Sequence, residues 1–196
     1  MIMSEIRIID ATPDDAEMIA DAIMDAVGEE MVAGMAGDKT RDDVRRVFTR
    51  LARRVDSQYS YLNSRIALTD DGVKAGVCIS YDGGLLKPLR RSFFEEANKV
   101  FGWNISAHEI EALPGETCGE EFYLDTVMTL PEYRGRGVAT ALIRDTARKA
   151  EAARLPLGLL VADDNPRARR LYDSLGFISA GRRMFAGSEM TNLRLP

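Results

Sequence analysis

Histidine occurs once in these 196 residues and cysteine only twice, as Cys78 and Cys118. Two cysteines cannot build a disulfide framework, and they read as free thiols of a reducing compartment. No Cys/His/acid cluster has metal-ligand spacing, so no metal is expected. The lone His108 sits in an irregular acidic stretch and reads as exposed, and no Ser-His-Asp arrangement or activated cysteine is indicated. Long apolar runs are also missing: nothing approaches the ~20 residues of a membrane-crossing helix. Met1 to Asp10 carries charges and lacks the extended apolar segment of a secretory leader. Positive charge is not in excess either. The formal net charge is -5, the opposite sign from a chain that coats nucleic acid. The expectation is a cytoplasmic protein with neither nucleic-acid nor membrane partners.

The length and a hydrophobic share of 45% suit one domain with a real core. A short strand is expected over Ser4 to Ile9. Thr12-Pro13-Asp14-Asp15 then starts a helix, with Ala16, Ile19, Ala20, Ile23 and Val27 as its apolar stripe. Gly34 and Gly37 break that pattern, and Thr40 caps a second helix carrying Val44, Val47, Phe48 and Leu51. Arg65 to Thr69 and Lys74 to Tyr81 flank the turn Asp70-Asp71-Gly72 and read as a strand hairpin. Leu86, Leu89, Phe93, Ala97 and Val100 recur at helical spacing up to Gly102. Asn104 to Glu121 has no clean period and holds Glu109, Glu111, Glu116, Glu120 and Glu121 without Lys or Arg. Phe122 to Met128 is a strand, and Gly137 opens a helix to about Arg154. Leu157 to Ala162 is an apolar strand buried on both faces. Pro166 starts a short helix, and Phe177 to Phe185 and Met190 to Leu195 close the chain as strands. The result is a single mixed α/β domain over 1–196, with about seven strands flanked by helices and an extra helix plus acidic segment at about 85–120.

The chemistry lies between Glu121 and Ala139. A strand runs into the turn Arg134-Gly135-Arg136-Gly137 and then into a helix N-terminus. Unpaired N–H groups and the positive dipole end face outward there. The glycines allow close approach and the arginines add cationic donors, which makes a site for a diphosphate. Taken alone, such a turn is equally a tight connection with surface arginines. The Gly-Lys-Ser/Thr ending of a nucleotide-triphosphate loop is absent, and so is the third glycine of a dinucleotide fingerprint. A second element runs from the buried strand at Leu157 through Asn165 to the helix bearing Ala168, Leu171 and Tyr172. By default Asn165 is a turn former or cap, and Tyr172 a packing residue.

Together these motifs resemble the GCN5-related N-acetyltransferase (GNAT) superfamily. Its Arg/Gln-x-x-Gly-x-Gly/Ala signature is matched by Arg134-Gly135-Arg136-Gly137-Val138-Ala139. Its second signature is matched by Leu159 to Val161, Asn165, Ala168, Leu171-Tyr172 and Gly176-Phe177. The segment from Leu85 to Glu120 departs from the family's short connection at that place.

The resemblance implies the acyl-CoA N-acyltransferase fold, with its fourth and fifth strands splayed around the pantetheine arm. It implies transfer of an acetyl group from acetyl-CoA, as co-substrate, to a primary amine of a small molecule or peptide by direct attack in a ternary complex. Carried over, Val127, Met128 and Thr129 hold the pantetheine. The amides of Arg134, Gly135, Arg136, Gly137, Val138, Ala139 and Thr140 hold the pyrophosphate, and Asn165 contacts the arm. Tyr172 protonates the leaving thiolate, the unperturbed phenol pKa of about 10 lying above the thiol value of about 8.5. A base must take a proton from the amine. Strand alternation puts Glu121, Tyr123, Asp125 and Val127 on one face, making Asp125 and Glu121 the candidates. The alternative reading is a non-catalytic acyl-CoA-binding sensor or regulatory module on the same fold. The acidic segment could attract a cationic acceptor through Glu109, Glu111 and Glu116. The oligomeric state stays open, a homodimer included.

Overall fold

The computed structural model describes residues 6–196. The expected first strand therefore begins at Ile6, its residues Ser4 and Glu5 lying outside the described part. In chain order the elements are β1 (Ile6–Asp10), α1 (Ala16–Val27), α2 (Glu29–Ala36), α3 (Arg41–Arg53), β2 (Ser64–Thr69), β3 (Lys74–Asp82), α4 (Leu86–Phe101) and α5 (Ala107–Ala112). They continue with β4 (Phe122–Thr129), α6 (Val138–Ala153), β5 (Leu157–Val161), α7 (Pro166–Ser174), β6 (Ile178–Phe185) and β7 (Ser188–Leu195). The strands form one seven-stranded sheet in the order β1-β2-β3-β4-β5-β7-β6. Every pairing is antiparallel except that of β4 with β5.

Helices cover both faces. On one face Ile19, Ile23, Val47, Phe48 and Leu51 of α1 and α3 bury against Ile66, Val77, Ile79 and Met128. On the other, Leu142, Ile143 and Ala150 of α6 and Tyr172 of α7 bury against Cys78, Leu124, Leu157 and Leu159. Complete burial of one such aliphatic side chain contributes about 1.5–3 kcal/mol. The caps follow the sequence. The Thr12 amide and hydroxyl both donate to the Asp15 carboxylate, at 2.8 and 3.0 Å. At the start of α3 the cap is reciprocal, the Thr40 amide donating to the Asp43 carboxylate and the Asp43 amide to the Thr40 hydroxyl.

One helix departs from expectation. Gly34 does not break the chain, because α2 runs through it to Gly37. Gly34 points to solvent, while Val32 and Ala36 are buried one turn apart beside α1 and α3. An exposed glycine costs a helix only about 1 kcal/mol relative to alanine, less than burial of that apolar pair returns. The unpatterned acidic stretch resolves into α5, capped by Ser106 and Glu109, and an extended return to β4. A buried arginine ties it down. The Arg90 guanidinium donates to the carbonyls of Ile110, Leu113 and Pro114 at 2.7–3.0 Å. The last-turn carbonyls of α5, which lack helical partners, are thereby satisfied by a cation.

Candidate active site

The parallel ladder between β4 and β5 is short. Phe122 pairs with Leu157 and Tyr123 with Gly158, and no further pairing follows. Beyond Tyr123 the two strands diverge, each still held by its outer neighbour, β3 or β7. The wedge between them opens into a groove of about 1360 Å³. The Leu130 amide donates to the Ala75 carbonyl of β3. By strand alternation Met128 also turns its backbone to β3, while Val127 and Thr129 turn theirs toward the wedge. Met128 keeps its side chain in the core below, so of the three expected pantetheine contacts it is the one whose backbone faces away. Thr129 Oγ1 is buried at the groove without any hydrogen-bond partner.

The turn after β4 brings the expected diphosphate residues, all but Arg136, to the groove lining. Gly135 and Gly137 have left-handed φ values of 75° and 83°, which a side chain would strain. A Cβ at either would meet nothing within 4 Å, so the space above them is open. The first intrahelical bond of α6 runs from the Ala141 amide to the Gly137 carbonyl. The amides of Val138, Ala139 and Thr140 are therefore free at the positive end of a 16-residue helix. Arg134 donates to the Thr129 carbonyl at 3.3 Å, and Arg136 stacks over the Tyr133 ring at 5.2 Å. Free amides, open glycines and an orphaned hydroxyl in one groove suit a phosphorylated arm.

Asn165 caps α7, its Oδ1 accepting from the Ala168 amide at 3.0 Å. Its immediate task is thus to start the helix that carries Tyr172. Tyr172 is 7% exposed, lines the groove and packs its ring on Phe177 at 5.5 Å. Burial, reinforced by the nearby Cys78 thiol, pushes its phenol upward. The hydroxyl therefore keeps its proton at neutral pH.

The strand bearing the candidate carboxylates is irregular. The register between β3 and β4 shifts between Ile79 and Ser80, with Ile79 opposite Thr126 and Ser80 opposite Leu124. Asp125 is the extra residue of this bulge. Strict alternation therefore fails here. Tyr123 and Asp125 face Tyr81, while Val127 packs on the α6 side. Asp125 lines the groove. Its Oδ2 accepts from the Tyr81 hydroxyl at 2.7 Å and from Gln58 Nε2 at 3.5 Å, and its Oδ1 from the Thr126 hydroxyl at 2.9 Å.

Glu121 lies elsewhere. It is 1% exposed and absent from the groove wall. Its carboxylate accepts from Thr117 Oγ1 at 2.8 Å, the Cys118 amide at 3.2 Å and Arg194 at 3.2 Å. It lies over Gly158, where a Cβ would stand 2.1 Å from Glu121 Oε2. Glu121 is a brace between the acidic segment and β7, outside the groove lining.

Sequence reasoning did not single out Glu116 from its acidic neighbours. Its Oε1 accepts from Gln58 Nε2 at 3.1 Å and from the Tyr81 hydroxyl at 3.3 Å, the same two donors that Asp125 uses. The residue is 8% exposed and lines the groove. Burial, then the adjoining Asp125 carboxyl, raises it to about 7. Burial also raises Asp125, against the hydrogen bonds from Tyr81, Thr126 and Gln58. Two other acids of the segment are spent locally, Glu109 on the cap of α5 and Glu111 on Arg91, and Glu120 is exposed. His108 is exposed on α5. Cys78 is buried against the Thr146 hydroxyl at 3.4 Å, and burial pushes its thiol up to about 12, inert as a nucleophile. No helix among the described residues is long and apolar enough to cross a membrane.

Residues 88–177 match the family model for acetyltransferases of the GNAT family. The matched stretch runs from α4 past the end of α7 and is similar to that family. A shorter stretch is similar to the thialysine N-epsilon-acetyltransferase of Bos taurus, 39% identical over 59 residues, or 30% of this chain and 35% of that protein. The chain thus spans about a third of the length of that curated relative. An N-acetyltransferase from Staphylococcus aureus Mu50 superposes with a TM-score of 0.78 at 24% identity, over 96% of this chain and all (100%) of the other. A second acetyltransferase structure gives a TM-score of 0.75, also at 24% identity, over 96% and 97% of the two chains. At such identities the likeness is one of fold.

Proposed function

We propose that this chain transfers an acetyl group from acetyl-CoA to a primary amine of a small molecule or peptide, by direct attack within a ternary complex. One observation carries the reading. A single groove holds the free amides at the start of α6 at one end, and the phenol of Tyr172 and the carboxyl of Asp125 further in.

Val127 and Thr129 offer backbone groups to the pantetheine arm. The turn from Arg134 to Thr140 holds the pyrophosphate through amides that already point outward, so little ordering is needed on binding. The bound thioester supplies the acetyl carbon and a thiolate leaving group. Asp125 takes a proton from the incoming ammonium, which leaves the nitrogen lone pair free to attack. The N–C bond forms as the C–S bond breaks, Tyr172 gives its proton to the sulfur, and the second proton shed by the acylated nitrogen restores the Tyr172 phenol. Products are the amide and the free thiol.

The test is thiol release from acetyl-CoA against a panel of amines, amino acids and peptide N-termini, with thermal shift read in parallel. Turnover with at least one amine class is the expected result. Tight acetyl-CoA binding without turnover on any amine would replace this reading with a non-catalytic acyl-CoA sensor.

A further inference from the structure

We propose that Glu116, delivered by the segment between α4 and β4, acts with Asp125 as one proton-sharing carboxyl pair that docks the acceptor as a cationic ammonium and takes its proton. The inference rests on the acetyl-transfer reading and assigns the acceptor's charge and a second catalytic carboxyl.

Gln58 Nε2 lies 3.1 Å from Glu116 and 3.5 Å from Asp125. The Tyr81 hydroxyl lies 3.3 and 2.7 Å from the same two carboxyls. A hydroxyl owns one proton and can donate to only one of them at a time. Two ionised carboxylates held this way repel in a desolvated site, so the stable resting form keeps one proton between them. Among the facing groups one cation acts on Glu116, and it does not outweigh burial and the Asp125 carboxyl. Three of them are the tyrosines 59, 81 and 123, each raised first by burial and then by the pair itself. Arg90, whose guanidinium also donates to the backbone carbonyls at the end of α5, acts on Glu116 and lowers it, but by less than burial and Asp125 raise it.

A pair of net charge -1, rimmed by Tyr59 and Tyr123 on the groove wall, matches a primary ammonium. The ring faces and the remaining carboxylate both favour a cation. The ammonium passes one proton to the pair, which becomes doubly protonated and neutral, and the amine becomes nucleophilic. When the pair later returns that proton to water, the resting charge is restored. The extra segment is thus a working part of the site, and Glu121 with its Arg194, Thr117 and Cys118 partners holds the segment's exit in place.

Two measurements test this. First, kcat/KM for the best amine is followed against pH in the wild type, Glu116→Gln and Asp125→Asn. Each substitution is expected to cost about 10²-fold or more in kcat/KM and to leave acetyl-CoA affinity within twofold. The acidic limb of Glu116→Gln should move by about one pH unit toward base, because the remaining carboxylate loses the shared proton that stabilised its charge. An unchanged rate and an unchanged limb in Glu116→Gln would overturn the proposal. Second, the carboxyl ¹³C resonance of Glu116 is titrated with no substrate present, which requires no turnover. A midpoint near neutrality that falls toward the ordinary glutamate range in Asp125→Asn is expected. An ordinary midpoint in both would overturn the shared proton even if the chain proves to be only an acyl-CoA sensor.

Discussion

The two ends of the groove are built in different ways. The end proposed to hold the cofactor is made mostly of backbone. The turn from Arg134 to Gly137 and the first amides of α6 lie within seven consecutive residues, and local conformation alone aims them. The end proposed to take the acceptor is made of side chains from four separate places in the chain. Gln58, Tyr81, Glu116 and Asp125 meet only once the sheet has formed and Arg90 has tied down α5. A backbone site is specified by short-range sequence and is spoiled by anything that fills it. A side-chain site is specified by tertiary structure and is tuned by charge.

The largest expected effect breaks the first kind of site. Gly137→Glu places a carboxylate and a strained left-handed side chain where a diphosphate would lie. Acetyl-CoA affinity should fall by about 10³-fold or more, through like-charge repulsion and loss of the helix-end amides. Isothermal titration reads this directly. Retained micromolar binding would move the diphosphate to another part of the groove.

Next in size is Tyr172→Phe, which separates holding from chemistry. The ring keeps its contact with Phe177, and only the hydroxyl is lost. The expected result is a fall of about 10²-fold in kcat with acetyl-CoA affinity unchanged. An unaffected kcat removes Tyr172 from the proton path.

The difference between the two ends also explains what the sequence made legible. The diphosphate turn, the Asn165-to-Phe177 frame and the seven strands could be read because each depends on spacing within a few residues. Asn165 and Pro166 start α7 as the local rules require. The acceptor end resisted for three physical reasons. The bulge at Asp125 breaks the two-residue period, so Val127 leaves the face shared by Tyr123 and Asp125. Glu121, equally acidic on paper, is captured by Arg194, a partner 73 residues away in the chain. Glu116 could not be told from Glu109 and Glu111, because the only signal was an excess of acid without base. Gln58 carried no signal at all.

A smaller effect, of opposite sign at the two kinds of carboxyl, sharpens the contrast. Asp145 on α6 is a scaffold acid, bonded to Arg65 at 2.9 Å and Arg148 at 2.8 Å. Burial raises it, but those partners prevail and hold it below its ordinary value of 3.8. The stability it contributes is present above that value and is lost as pH falls through the lower folded one. Glu116 is raised from 4.5 to about 7. The folded state then retains a proton the unfolded chain has released, so stability declines as pH rises across that window. Asp145→Asn should cost about 1–3 kcal/mol at pH 7, with the difference vanishing in acid. Glu116→Gln should instead gain about 1–3 kcal/mol at pH 8 and nothing below pH 4. Urea unfolding across pH checks both, and parallel profiles for the two variants would contradict the opposite shifts.

The smallest expected effect isolates Glu116 from the charge around it. If the acidic segment drew a cationic acceptor by its general field, neutralising Glu109 and Glu111 would raise the acceptor KM nearly as much as neutralising Glu116. The contacts argue against that. Glu109 is turned back on the Ser106 amide, and glutamine serves the same capping role. Glu111 is matched by Arg91 on the outer surface, and such exposed pairs contribute about 0–1 kcal/mol. Neither lines the groove. The double variant Glu109→Gln/Glu111→Gln should therefore leave the acceptor KM within about twofold at physiological ionic strength, where charges more than about 8 Å apart are screened. A rise approaching that of Glu116→Gln would mean that the segment acts through its field, and the acceptor end would lose the specificity that sets it apart from the backbone cradle opposite.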